Sequence, residues 1–249
     1  MMGATEIAVP ATLPMCHPHI TTLERHIAPH DVFDRLHEPI PDALMTTSVM
    51  GIEAQIQTAV IADFPKPKVL VVNLFGGPGT GKSTNAALLF GKLKIAGVNA
   101  ELVTEYAKDL TWEKRHNALG FQPYVTFKQA WRVARLRDEV EVIVTDSPFL
   151  LGLVYPGFGS TPSFEHCVVE IYDLFHNYNV FLSRESASHP YNPSGRKQSE
   201  SQARQLDREI LSVLHKHEIN HEVVPVMEGE ETANYLRDSV LRQLAALNR

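Results

Sequence analysis

VLVVNLFGGPGTGKST, residues 69–84, joins a continuous apolar run to a glycine-rich turn ending in Lys-Ser-Thr. VLVVNLF has the length of a strand and the composition of one buried on both faces of a parallel sheet. The turn fits G-x-x-x-x-G-K-[ST] through Gly76, Gly81, Lys82 and Ser83, a loop whose backbone N–H groups close around phosphate oxygens. Glycines are needed there because a Cβ would block close approach, and the positive end of the following helix adds to the field. Gly76, Gly77, Pro78, Gly79, Thr80, Gly81, Lys82, Ser83 and Thr84 are therefore the predicted nucleotide-binding residues. Lys82 is expected to reach the β and γ phosphates, and the Ser83 hydroxyl to ligate Mg²⁺.

Outward from this turn the chain alternates. A helix is predicted over 83–96, with Ala86, Leu89, Phe90 and Leu93 on one face and Gly97 closing it. Further strands are expected at 99–105, 140–148, 179–184 and 221–226, and helices at 123–138, 163–177, 199–217 and 231–247, with 108–116 helical or looped. Such alternation implies right-handed crossovers and a mainly parallel sheet between helical layers. The expected fold is an α/β P-loop NTPase sandwich with a mainly parallel sheet, occupying residues 66–249. Ligands of such sheets lie off the carboxyl ends of the strands, so the residues just after each strand are the candidates for chemistry.

After the third strand, Asp146 in TDSP is placed to hold Mg²⁺ through water or to act on a nucleophile; an Asp in this context also suits a turn or helix cap. After the second strand, Glu105 in TEYAKDL faces the same crevice and is a candidate acceptor for the proton of an attacking hydroxyl, with Asp109 sharing the role if the segment is helical. Gln129, Arg132 and Arg135 recur along one helix and roughly share a face able to reach over the crevice. Arg184 ends the fourth strand, and YNPSGRK, 191–197, is a turn-rich loop carrying Arg196 and Lys197, followed by Arg204. Guanidinium groups on such loops close over a transferring phosphoryl group and exclude water. Lys82, Glu105, Asp109, Arg132, Asp146 and Arg196 form the expected catalytic set, Ser83 and Asp146 the metal set, and Arg184 a further nucleotide contact.

The net charge of −6 and 21% charged residues describe an ordinary globular chain with no global attraction to nucleic acid. Two cysteines, Cys16 and Cys167, make no disulfide framework and suit a reducing compartment. No apolar stretch reaches the roughly 18 residues of a membrane span, and no signal-peptide pattern opens the chain, so a cytoplasmic location without membrane contact is expected. Residues 1–65 read as a proline-rich extension, with a helix candidate over 42–62 in which Leu44, Ile52, Ile56 and Val60 form a partial stripe. Cys16, His17 and His19, with His26 and His30 beyond, lack the ordered Cys/His spacing of a zinc site and read as solvated.

Taken together, GGPGTGKST, EYAKDL, Q-x-x-R, VTDSP and FLSR followed by Y-x-x-x-G-R-K-Q resemble the P-loop kinase-type ATPase domain related to the ribosylnicotinamide kinase module of bacterial NadR proteins. Similar single-domain proteins, carrying an AAA-ATPase label, occur in bacteriophages and bacteria. The resemblance covers residues 68–226 and implies that Lys82 and Ser83 meet ATP and Mg²⁺, that Asp146 is the strand-end acid and that Arg196 is a lid arginine. The nicotinamide substrate is not implied, since the adenylyltransferase half that accompanies the kinase in NadR has no counterpart here.

Three fates of a bound phosphate are distinguishable. A hydrolytic motor needs a strand-end Asp-Glu pair, but Ser147 follows Asp146. A GTPase switch needs an Asn/Thr-Lys-x-Asp-like base-reading motif after a later strand, and FLSRES and VVPVME supply none. Transfer needs carboxylates for the acceptor and a basic lid, and both are in the sequence. The expectation is a kinase using ATP, with GTP as the open alternative, and Mg²⁺. Its acceptor is expected to be a small nucleoside, nucleotide or ribosyl compound, met by groups such as Tyr106, Trp112, Phe121, Gln122, Tyr124 and Gln129. A nucleic-acid acceptor and a nucleotide-binding ATPase or switch are the rival readings, and a homodimer is compatible with all of them.

Overall fold

The computed structural model describes residues 66–155, 157–184 and 199–247. The extension 1–65, with its helix candidate and its Cys/His stretch, lies outside the described residues. So do Tyr191, Arg196 and Lys197.

Strands β1 (Leu70–Phe75), β2 (Ala100–Val103), β3 (Val142–Thr145), β4 (His176–Ser183) and β5 (Glu222–Pro225) form one sheet in the order β2-β3-β1-β4-β5, every pair parallel. Helix α1 (Lys82–Ile95) leaves β1; α2 (Tyr106–Trp112), α3 (His116–Leu119) and α4 (Gln122–Ala134) link β2 to β3. A 3₁₀ turn (Phe149–Leu153) and α5 (Pro162–Asp173) link β3 to β4. Helix α6 (Glu200–Lys216) precedes β5, and α7 (Glu231–Leu247) ends the described chain. Among the described residues no helix is long and apolar enough to cross a membrane.

The pleat of β1 feeds two cores, because alternate side chains point to opposite faces. Leu70, Val72 and Leu74 join Ala86, Leu89 and Leu93 of α1 and Leu236, Val240 and Leu244 of α7. Val69, Val71 and Phe75 join Val133 of α4, Val168 of α5 and Ile210 and Leu214 of α6. Fully burying one such aliphatic side chain contributes about 1.5–3 kcal/mol, so the two cores fix the strand ends that carry the site. The connection out of β1 runs over one face, while those into and out of β3 run over the other. Brought together in the sheet, β1 and β3 therefore frame the topological switch point at which open α/β sheets bind ligands.

The expected elements are present, with boundaries moved for physical reasons. The strand expected over 179–184 begins at His176, because Asn177 and Asn179 are satisfied inside the sheet layer. Asn73 Nδ2 donates to Asn177 Oδ1 (2.9 Å) and Asn179 Oδ1 (3.1 Å), and Tyr172 donates to Asn179. The helix expected to reach residue 177 stops at Asp173 for the same reason, since Asn177 Nδ2 caps Tyr172 O at 2.7 Å. Helix α6 begins at a reciprocal capping box between Ser199 and Gln202, the Ser-x-x-Gln signature that satisfies two otherwise free N–H groups.

Candidate active site

The P-loop spans the end of β1 and the first turn of α1. Gly76 has φ of +140°, and a Cβ there would lie 2.8 Å from Thr80 Oγ1 and 3.1 Å from Leu182 O. The loop is tied across by Thr80, which is buried and donates to Gly77 O at 3.0 Å. Lys82 Nζ lies back on the loop, donating to Gly76 O (2.5 Å) and Gly77 O (3.1 Å). Ser83 and Thr84 are exposed at the start of α1, whose first turn holds no acid to offset the helix dipole.

Asp146 directly follows β3, which is hydrogen-bonded to β1 with Thr145 opposite Asn73. No strand lies between the P-loop strand and the acid strand. Asp146 Oδ1 is buried without a hydrogen-bond partner among the described residues, a costly state for a carboxylate oxygen unless a cation or donor reaches it. Glu105 is the N-cap of α2. Part of its side chain faces solvent, yet loss of hydration, and then the neighbouring Asp146, hold its carboxyl above the usual range, with Lys82 opposing. Enclosure of Lys82 lowers its ammonium to about 8 against the attraction of Glu105, Asp146 and Asp207. The structure thus brings Lys82, Glu105 and Asp146, drawn from three strand ends, into one electrostatic cluster.

Asp109 and Arg132 stand differently from expectation. They pair with each other, and Arg132 also donates to Thr104 O (3.3 Å) and covers the Tyr106 ring at 4.8 Å. Gln129 is buried, accepting from Tyr106 N (2.8 Å) and donating to Thr104 O (3.3 Å). Rather than reaching over the crevice, Gln129 and Arg132 brace the Thr104–Tyr106 backbone on both sides of Glu105. Arg184 lies against the P-loop, donating to Pro78 O (3.1 Å) and pairing with Asp207 Oδ2 (2.6 Å). Arg196 lies outside the described residues.

Asp207 and Tyr155 escaped the sequence reading. Asp207 Oδ1 accepts the Gly77 N–H at 2.6 Å, and helix α6 comes so close that a Cβ on Gly77 would lie 2.6 Å from Ala203 O. A signal for Asp207 exists in the sequence: it stands on the stripe Ala203, Asp207, Ile210, Leu214, whose other members are buried, and an acid on an apolar stripe needs a partner. Tyr155, 39% exposed as a whole, has its hydroxyl pushed up by loss of hydration and then by the charge of Glu105; no local pattern marks it.

A family model described as an AAA domain matches residues 71–232, from β1 through the beginning of α7. The chain belongs to this AAA-domain family. Within the AAA domain the P-loop and its fold define a nucleotide-binding architecture. No curated protein matches the chain. Solved structures similar to this AAA domain include deoxyadenosine kinase from M. mycoides, 15% identical, with 71% of this chain and 99% of that one covered and a TM-score of 0.44. Another is the APS kinase of Mycobacterium tuberculosis, 14% identical, with 72% and 99% covered and a TM-score of 0.39.

Proposed function

We propose that this protein is an ATP-dependent phosphotransferase that moves the γ-phosphoryl group to a hydroxyl or phosphate of a nucleoside-, nucleotide- or ribosyl-type acceptor. The observation that carries the reading is the convergence of Lys82, Glu105 and Asp146 around one crevice, with the Glu105 carboxyl raised above its usual range. A P-loop that only bound nucleotide would have no use for a second acid poised in this way.

In this mechanism the loop amides and the α1 N-terminus hold the β phosphate, and Lys82 leaves the Gly76 and Gly77 carbonyls for the β and γ oxygens. Glu105 takes the proton of the acceptor hydroxyl as the acceptor oxygen bonds to the γ phosphorus and the bond to the bridging oxygen breaks, releasing the nucleoside diphosphate. A phosphate acceptor would need no proton removed. Asp146 and Ser83 would hold Mg²⁺: the buried, unpartnered Asp146 Oδ1 and the exposed Ser83 hydroxyl fit an ion bound by one or two protein oxygens and by phosphates. Bound there, Mg²⁺ would supply charge neutralisation across the β and γ phosphates. Ser147 in place of a hydrolytic glutamate, and β3 lying directly beside β1 with no strand to carry a sensor side chain between them, favour transfer over hydrolysis. A ribosyl-type acceptor is the part of the proposal that extends the NadR-like resemblance.

The test is turnover of ATP, then GTP, with Mg²⁺, alone and against pooled nucleosides, nucleotides, ribosyl compounds and nucleic-acid ends, with Lys82→Ala as the blank. Turnover dependent on one pool and lost in Glu105→Ala, with nucleotide affinity kept, supports transfer. Hydrolysis indifferent to every acceptor, or binding without turnover, overturns it.

A further inference from the structure

Helix α4 turns an unusual face outward. Val125, Gln129, Ala130 and Val133 are buried, whereas Tyr124, Phe127, Lys128, Trp131, Arg132 and Arg135 recur at three- and four-residue steps along the other side. Trp131 is 63% exposed and Phe127 37%, and Phe158, 82% exposed, continues the row beyond Phe121. Two depressions of about 490 Å³ each share Lys128 and Trp131, so they form one surface. One half is aromatic. The other is polar and opens at Thr104 and Tyr106, the residues on either side of Glu105.

Cations and rings alternate on this surface. Lys128 Nζ sits 5.9 Å from the centre of the Tyr124 ring, and the Arg132 guanidinium 4.8 Å from that of Tyr106. Lys128, Arg132 and Arg135 face one acid, Asp109, across the polar half. Residues 66–249 hold 21 acidic and 21 basic residues, so their formal charges balance. Protein interfaces deplete Lys at their centre, whereas here Lys128 lines both halves of the surface. Exposed rings interleaved with cations match a single-stranded polynucleotide, whose bases stack on aromatic faces while its phosphates meet Lys and Arg.

We infer that the outer face of α4 is a binding track for single-stranded nucleic acid, with bases stacking on Trp131 and Phe127 and phosphates meeting Lys128 and Arg135. The inference rests on the phosphotransfer reading only for its direction: the strand runs toward Glu105, so the acceptor would be a unit of a polynucleotide. Binding itself is independent of turnover.

The experiment is fluorescence anisotropy of a labelled single strand of about 15 nucleotides with the full chain, from about 50 to about 200 mM salt. Binding is expected to weaken steadily with salt. Trp131→Ala should weaken it roughly tenfold or more, as loss of a stacking platform does. Lys128→Glu should weaken it and flatten the salt dependence, and both variants should keep the wild-type melting temperature and ATP affinity. Lys82→Ala should bind the strand normally, so failure of the phosphotransfer reading and failure of the track are distinguishable. The inference is overturned by absence of binding at the lowest salt or by binding indifferent to Trp131→Ala and Lys128→Glu. A concentration-dependent dimer that Trp131→Ala abolishes, without strand binding, would also overturn it by assigning the face to a second copy of the chain.

Discussion

At the scale of single residues, Lys82 joins structure to chemistry most directly. Enclosed against the Gly76 and Gly77 carbonyls, its ammonium titrates near 8, and phosphate oxygens brought within reach would raise that value again. Nucleotide binding at pH 8 should therefore take up a fraction of a proton, which disappears near pH 6.5, where Lys82 is already protonated. Calorimetry in buffers of different ionisation enthalpy measures this directly, and zero uptake at pH 8 would contradict the geometry. Glu105 carries the opposite sign. A carboxyl raised in the native state favours folding at low pH, and that contribution fades as pH climbs from the unfolded value through the folded one. Glu105→Gln should accordingly melt slightly higher than the wild type at pH 7 and show no such gain well below pH 4, while losing turnover. The gain is small because part of the side chain is solvated.

At the scale of elements, α6 and the P-loop behave as one unit. The Arg184–Asp207 pair is largely enclosed, with side-chain exposures of 9% and 15%, and removing one partner of such a pair costs about 3–5 kcal/mol because the other is left buried and charged. Asp207→Ala should lose that much in chemical denaturation. The double change Arg184→Met with Asp207→Leu should recover most of the stability but not the nucleotide affinity, because the Gly77 N–H still lacks its acceptor. If the double variant also binds ATP normally, α6 does not position the loop. The same element shows what sequence patterns conceal: the amphipathic stripe made α6 easy to place, but the Gly77 N–H that its buried-stripe acid Asp207 accepts lies 130 residues away in the chain.

At the scale of the whole molecule, the two cores hold β1 and β3 side by side, and their ends define the crevice. A ligand that binds the native fold at about a hundredfold its dissociation constant stabilises it by about 2.7 kcal/mol, a shift of several degrees for a domain of this size. ATP with Mg²⁺ should produce this thermal shift and Lys82→Ala should abolish most of it. An equal shift from adenosine alone would place the binding energy away from the phosphates and against the P-loop reading.

The sequence by itself determined what is local. The P-loop is a run of adjacent residues whose conformation follows from its own glycines and the strand and helix that flank it, so its position was legible without a structure. Hydrophobic periodicity likewise marked the alternating strands and helices, since each long element must bury one face. Only the tertiary structure decided the strand order, because parallel neighbours are joined by long crossovers and any register is compatible with the same local pattern. Folding also set Arg132 against Asp109 and the Thr104 carbonyl beside Glu105, and Arg184 against Asp207 and the Pro78 carbonyl. Each placement has the same cause: a charged side chain settles on whichever opposite charge or carbonyl the packing brings within reach, and that choice is made across the chain rather than along it.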